Sequence, residues 1–231
     1  NLIRQAIEAC GAPADLVQII EEPTIDLSAD LMAACDLIVA TGSSGLTKAA
    51  YESGTPAYGV GPGNPPAILD DDFDLNEAAK LSVVAIASDN GILCDGDNLL
   101  LYPAKKEGVA VFEDAADIAK FREVLFIDGK ANPGLVGKDT DVIADAAGIN
   151  LPKGTKVIGL KLDQVGKADV LNKEIMGPVV VLKSYDKFED AVDMAIRNME
   201  EDGGTGHTAG IFSNDEDHIL YFGEKIPVAR V

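Results

Sequence analysis

The feature that most constrains this chain is the alternation of apolar strand and helix in its first 60 residues. Asp36-Leu37-Ile38-Val39-Ala40 is a nearly continuous apolar run, of the kind buried on both faces of a parallel sheet. Thr41-Gly42-Ser43-Ser44 interrupts it as a turn. Residues 46–53 then read as a helix stopped by Gly54, and residues 56–60 as the next strand. Upstream, residues 2–10 form a helix ending at Gly11, and residues 16–20 a short apolar strand. A second helix, capped by Asp26 or Ser28, runs to about Cys35. Strands alternating with helices at this spacing need crossover connections, and the fold class is therefore α/β.

The second region continues the pattern. Strands are expected at 65–69, 99–102, 157–160, 179–182 and 208–212, and helices at 76–87, 139–147 and 188–199. In the last helix, Phe188, Ala191, Val192, Ala195, Ile196 and Met199 share one face. Asp70-Asp71-Asp72 reads as an acidic helix start. The terminal residues 227–231 read as a strand under way, and both chain ends look interior to a longer protein. The junction between the two regions falls near Gly61 to Asn64.

Charge excludes some functions. With 39 acidic against 19 basic residues the net charge is −20, which repels nucleic-acid backbones and anionic membrane surfaces. No apolar run reaches the roughly 18–20 residues that span a bilayer. Cys10, Cys35 and Cys94 are too few and too scattered for a disulfide framework or a zinc site, as fits a reducing cytoplasm. Cys10 and Cys35, in Ala-rich helical surroundings, are expected to be buried free thiols.

Four segments could carry chemistry. Cys94 ends Ser88-Asp89-Asn90-Gly91-Ile92-Leu93-Cys94, a polar loop after a helix. Such a thiol can meet a substrate, or it can pack with Ile92 and Leu93 as a small core residue. Thr41-Gly42-Ser43-Ser44-Gly45 lies between a strand's carboxyl end and a helix. There, free N–H groups hold phosphate, or Ser simply caps the helix. Glu174, in Lys173-Glu174-Ile175-Met176-Gly177-Pro178, is either a ribose-binding carboxylate or an exposed acid before a turn. His207, in Gly203-Gly204-Thr205-Gly206-His207-Thr208, is a proton carrier or an incidental hairpin residue. His218, among acidic residues, reads as a solvated surface group. No metal site is expected.

In this order and spacing the segments resemble the aldehyde dehydrogenase superfamily, specifically its CoA-acylating branch. The resemblance runs from Asn1 to Val231. It is strongest at Thr41-Gly42-Ser43, Lys48-Ala49-Ala50-Tyr51, Gly59-Val60-Gly61-Pro62-Gly63-Asn64, Asp89-Asn90-Gly91 with Cys94, Asn132-Pro133-Gly134-Leu135-Val136-Gly137, and Gly206-His207-Thr208. It implies a partial aldehyde dehydrogenase-like fold. Residues 1–60 would be the C-terminal part of a Rossmann-like NAD-binding domain, and 61–231 a truncated catalytic domain bearing the thiol.

The resemblance also implies roles. Cys94 falls on the nucleophile that carries the acyl group as a thioester. Thr41, Gly42, Ser43 and Ser44 fall on the turn touching the cofactor, NAD or alternatively NADP. Glu174 falls on the acid that holds the nicotinamide ribose, with Met176 where the family has Phe. His207 falls on a proton-carrying histidine, and coenzyme A is the co-substrate of a short-chain aldehyde. The implied full-length protein is a cytoplasmic or microcompartment enzyme working as a homo-oligomer, in some members followed by an alcohol dehydrogenase domain. The 231-residue chain alone is expected to be inactive, because the upstream cofactor strands are not in it.

Two substitutions bear on mechanism. Hydrolytic members carry a water-activating Glu where this chain has Gly59. Without that base the thioester waits for the CoA thiol, which ionises far more readily than water. Against this, Asp95 follows Cys94 where the branch has Ser or Ala, and a neighbouring carboxylate disfavours a thiolate. The competing readings are a hydrolytic dehydrogenase, opposed by Gly59, and a non-catalytic homologue or assembly partner, favoured by Asp95.

Overall fold

The computed structural model describes residues 2–103, 112–167 and 169–231. The chain divides into two compact units, Asn1–Gly59 and Val60–Val231.

The first unit holds helices α1 (Leu2–Ala9), α2 (Ile25–Ala34) and α3 (Ser44–Glu52), with strands β1 (Ile38–Thr41) and β2 (Ala57–Val60) paired as a two-stranded sheet. Thr24 rather than Asp26 or Ser28 caps α2, its hydroxyl accepting from the Leu27 N–H at 3.1 Å. Residues 16–20 form no strand. A strand needs a neighbouring edge for its backbone groups, and none is paired with them. The core is small: Ile38, Ala40 and Ala50, with Met32 and Ala57 against them. Strand β1 is therefore buried on one face only, and Val39 on the other is 75% exposed. The same thin core overturns the expectation for Cys10. No residue of α1 is buried, and Cys10 is exposed, while Cys35 is half-buried.

The second unit is built on five parallel strands in the order β7-β8-β4-β3-β9. These are β3 (Pro66–Leu69), β4 (Leu99–Pro103), β7 (Ile158–Lys161), β8 (Val179–Tyr185) and β9 (Gly210–Phe212). A short antiparallel pair, β5 (Phe126–Ile127) with β6 (Lys130–Ala131), lies outside this sheet.

Both sheet faces are buried, so β3, β4 and the first four residues of β8 are almost wholly apolar. Leu99, Leu101, Val179 and Val181 enter one core, while Leu100, Tyr102, Val180 and Leu182 enter the other. Helix α4 (Leu75–Ala87) closes the second face through Ala78 and Ile86. The first is covered by α5 (Ala115–Leu125), α6 (Thr140–Ala147), α7 (Phe188–Asp202) and α8 (Glu216–Lys225) through Phe121, Ile143, Val192 and Phe222. Burying each such side chain contributes about 1.5–3 kcal/mol.

Helices α5 and α8 were not expected from the sequence; each starts at an aspartate cap, Asp114 or Asp215, within an acidic stretch. Asp70 does not start a helix. It is buried, and α4 begins after its own cap, Asp74. His218 is not freely solvated: its ring stacks on Phe188 at 3.9 Å, and Nδ1 meets the Asp70 carboxylate at 2.7 Å. Burial lowers the affinity of this imidazole for its proton. The Asp70 hydrogen bond and charge, with the charges of Asp215 and Glu189, outweigh burial and raise it. Residues 227–231 make a single bridge, Arg230 to Thr208, rather than a strand.

Candidate active site

The segments singled out in the second unit all precede strands. Gly63 and Asn64 lead into β3, Cys94 into β4, Glu174 into β8 and His207 into β9. Because the sheet is parallel, four loops distant in sequence meet at its amino-terminal edge. This is the opposite edge from the one where open α/β sheets usually bind ligands.

Gly63 is the hub. A Cβ there would lie 2.0 Å from the Cys94 carbonyl oxygen and 3.0 Å from Glu174 Oε1. Only a residue without a side chain lets the three segments close. The Gly63 N–H donates to Glu174 Oε1 at 3.1 Å. Gly204, at φ +110°, presses on the Gly63 carbonyl just as closely, with 2.3 Å from its ideal Cβ. The Gly204 carbonyl in turn accepts from the His207 N–H at 2.9 Å. Burial raises the pKa of Glu174, while the Gly63 N–H and the His207 charge pull it down. Cys94, Glu174 and His207 are thus brought to one corner.

Beneath them lies a buried amide network. Asn98 Nδ2 donates to Asn64 Oδ1 at 2.6 Å and to the Lys173 carbonyl at 3.1 Å, and its Oδ1 accepts from the Ile175 N–H at 3.1 Å. Asn64 Nδ2 donates to the Asn172 carbonyl at 2.8 Å and the Gly203 carbonyl at 3.4 Å. The network joins all four loops; Asn64 stood in a motif of the resemblance, but no sequence pattern pointed to Asn98 as its partner.

The Cys94 loop is shaped by three successive left-handed residues, Asp89 (φ 51°), Asn90 (φ 54°) and Gly91 (φ 68°). Asp, Asn and Gly are the residues that tolerate this region best. Gly91 is obligatory, because a Cβ would stand 2.2 Å from the Gly177 carbonyl oxygen. Asn90 Nδ2 donates to the Gly137 carbonyl at 3.2 Å and to Asp139 at 2.9 Å, and the Gly137 N–H reaches the Met176 carbonyl at 2.9 Å. The Asn132–Gly137 motif is therefore the buttress of the thiol loop. Cys94 itself is exposed, not packed with Ile92 and Leu93, which are also exposed.

Two charges flank it. Asp97 is held out of water, which pushes its pKa up to about 6 against the opposing effect of the Ser82 hydroxyl. The Asp95 carboxylate meets Arg230 Nη2 at 3.3 Å. Arg230 also donates to Thr208 Oγ1 from Nε at 3.1 Å and Nη2 at 2.9 Å. No cluster of metal-ligating side chains occurs among the described residues.

In the first unit, Thr41 ends β1, and Gly42, at φ 154°, turns the chain so that Ser43 caps α3. Ser43 Oγ accepts from the Leu46 N–H at 3.3 Å. Thr41, Gly42, Ser43 and Ser44 are all exposed at the helix N-terminus. Gly59 is enclosed: a Cβ would lie 2.6 Å from Thr47 Cγ2 and 2.9 Å from Tyr51 Cε2. A glutamate at this position would have to displace both.

No family model matches the chain. It is 42% identical over 241 residues to the succinate-semialdehyde dehydrogenase (acetylating) of Clostridium kluyveri, covering 100% of this chain and 53% of that protein. An acetylating aldehyde dehydrogenase from Geobacillus thermoglucosidasius superposes with a TM-score of 0.92 at 32% identity, over 99% of this chain and 53% of that one. A Rhodopseudomonas palustris propionaldehyde dehydrogenase, solved with bound CoA and an acylated cysteine, gives 0.86 at 27%, over 98% and 54%. The fold is thus the aldehyde dehydrogenase-like α/β fold in part, and the chain spans about half the length of these relatives.

Proposed function

We propose, from the premise that this chain is related along its whole length to the CoA-acylating aldehyde dehydrogenases, that it carries the thiol half of such an enzyme. The reaction is oxidation of an aldehyde to an acyl-CoA, reversibly, through a thioester on Cys94. The observation that carries this reading is the convergence on Gly63 of the exposed Cys94 loop and the Glu174 carboxylate, with His207 in electrostatic reach of Glu174.

Cys94 supplies the sulfur that adds to the aldehyde carbon. His207, hydrogen-bonded through Nδ1 to Thr208 at 3.0 Å, is the proton carrier in this reading. Glu174 uses Oε1 on Gly63, and Oε2 makes no hydrogen bond among the described residues. Oε2 can therefore accept from a ribose hydroxyl. The exposed turn of Thr41, Gly42, Ser43 and Ser44 fits a phosphate, since Gly42 adds no side chain and the start of α3 favours negative charge. A bound NAD or NADP supplies the hydride acceptor. Gly59 has no carboxylate to activate water, and a glutamate there would have to displace Thr47 and Tyr51, which favours release of the acyl group to the CoA thiol over hydrolysis. Accordingly, residues 1–60 are the cofactor-binding portion and 61–231 the catalytic one. The three unpaired cysteines fit a reducing compartment, the cytoplasm or a microcompartment within it. Among the described residues no helix is long and apolar enough to cross a membrane.

The test is NADH formation from a short aldehyde by the protein at its relatives' full length, with and without coenzyme A. The expected result is strong dependence on coenzyme A, with loss of at least about a thousandfold in Cys94→Ala. Equal rates without coenzyme A would mean that water is activated by another base, and the reading from Gly59 would fall. The 231-residue chain alone is expected to show no turnover.

A further inference from the structure

Asp95 is the residue that weakens the catalytic reading, and the structure gives it a partner. Arg230 comes from the far end of the chain, 135 residues away, and is set beside the thiol loop by its bridge to Thr208. Its guanidinium spends Nε and Nη2 on the Thr208 hydroxyl and Nη2 also on Asp95. Both side chains are well exposed, 58% for Arg230 and 46% for Asp95. An exposed pair contributes little to stability. It does set a positive charge against the carboxylate that adjoins Cys94 in the chain.

We propose that Arg230 is a positioning residue that offsets the Asp95 charge and ties the Cys94 loop to the His207-Thr208 segment, holding the thiol reactive beside an acidic neighbour. The inference deepens the reading of Cys94 as nucleophile and rests on it. The other charged or titratable groups on the described segments around Cys94 are Asp89 and Asp97 on its own loop, Asp139 bonded to Asn90, Lys173 and Glu174 before β8, and His207 before β9. None of them is altered in the variants below, so their contributions cancel in the comparison.

The experiment is the rate of iodoacetamide alkylation at Cys94, read by mass spectrometry from pH 6 to 10 on the protein at its relatives' full length, with Cys10 as the internal standard. The proteins are the parent, Arg230→Gln, Asp95→Asn and the double variant. Near pH 7, Arg230→Gln is expected to slow Cys94 about fivefold, and Asp95→Asn to speed it by a similar factor. The double variant should return to within about twofold of the parent. Towards pH 10 the four rates should converge, because every thiol is then ionised.

An unchanged rate in Arg230→Gln, a slowing in both single variants, or a difference that persists at high pH would overturn the proposal. If Arg230→Gln does not fold, the sign of the Asp95→Asn change decides. CoA-dependent turnover is measured on the same preparations. Absent turnover with the expected alkylation pattern would sink the catalytic reading and leave Arg230's role standing. Normal turnover with flat alkylation would do the reverse.

Discussion

Gly63 and Asp97 show how much of this site depends on single atoms. Adding one methyl at Gly63 places it 2.0 Å from the Cys94 carbonyl oxygen, a backbone atom that can move only with its loop. Gly63→Ala is expected to cost about 2–3 kcal/mol in urea unfolding. It should also cut turnover at least about a hundredfold, since the thiol loop must move. A stable variant with full activity would show that the hub is dispensable. Asp97 makes an opposite prediction. Burial raises its pKa from 3.8 to about 6, so the folded protein binds a proton there more tightly than the unfolded chain does. Stability is therefore lost as pH rises through that window. The isosteric Asp97→Asn, which has nothing to ionise, should be more stable than the parent above pH 6, by up to about 3 kcal/mol, with the gap closing below pH 4. A gap independent of pH would mean that Asp97 acts by packing rather than charge.

Among the elements, the loops before the parallel strands do the assembling. Asn98 opens β4 and is the one side chain bonded to both the Asn64 and the 173–175 segments. Asn98→Ala removes three hydrogen bonds and leaves the buried Asn64 and the Ile175 N–H short of partners. A loss of about 3 kcal/mol is expected in denaturant melts, with a fall in kcat larger than any change in KM. A loss below about 0.5 kcal/mol, near the scatter of surface substitutions, would show that the network is incidental. The run Asp89-Asn90-Gly91 was legible as a motif. Its reason, three left-handed residues pressed against Gly177, was not, because Gly177 is far away in sequence. Helices α5 and α8 were missed because their starts, at Asp114 and Asp215, look like ordinary acidic surface until the buried Phe121 and Phe222 are seen.

For the molecule as a whole, charge is the dominant quantity. A net charge of −20 on 231 residues means that compaction works against self-repulsion. Raising sodium chloride from about 10 mM to about 200 mM shortens the screening length from about 30 Å to under 10 Å. The thermal midpoint is expected to rise by several degrees over that range, measured by circular dichroism near pH 7.5. A falling midpoint would mean that attractive pairs such as His218 with Asp70 outweigh the repulsion.

The sequence by itself determined the α/β class, the places of the central strands and the loop segments proposed here to form the site. Those properties are written in local patterns: apolar runs, helix periodicity, and glycines where the backbone must turn. The usual rule for parallel sheets pointed to the Thr41–Ser44 turn, which does follow the carboxyl end of β1. Only the tertiary structure decided that Gly63, Cys94, Glu174 and His207 share the amino edge of one sheet. Only it gave Asp95 the Arg230 guanidinium and exposed Cys10. Each of these depends on which distant segments touch, and contact between residues a hundred positions apart is set by the packing of the whole unit rather than by any run of neighbours.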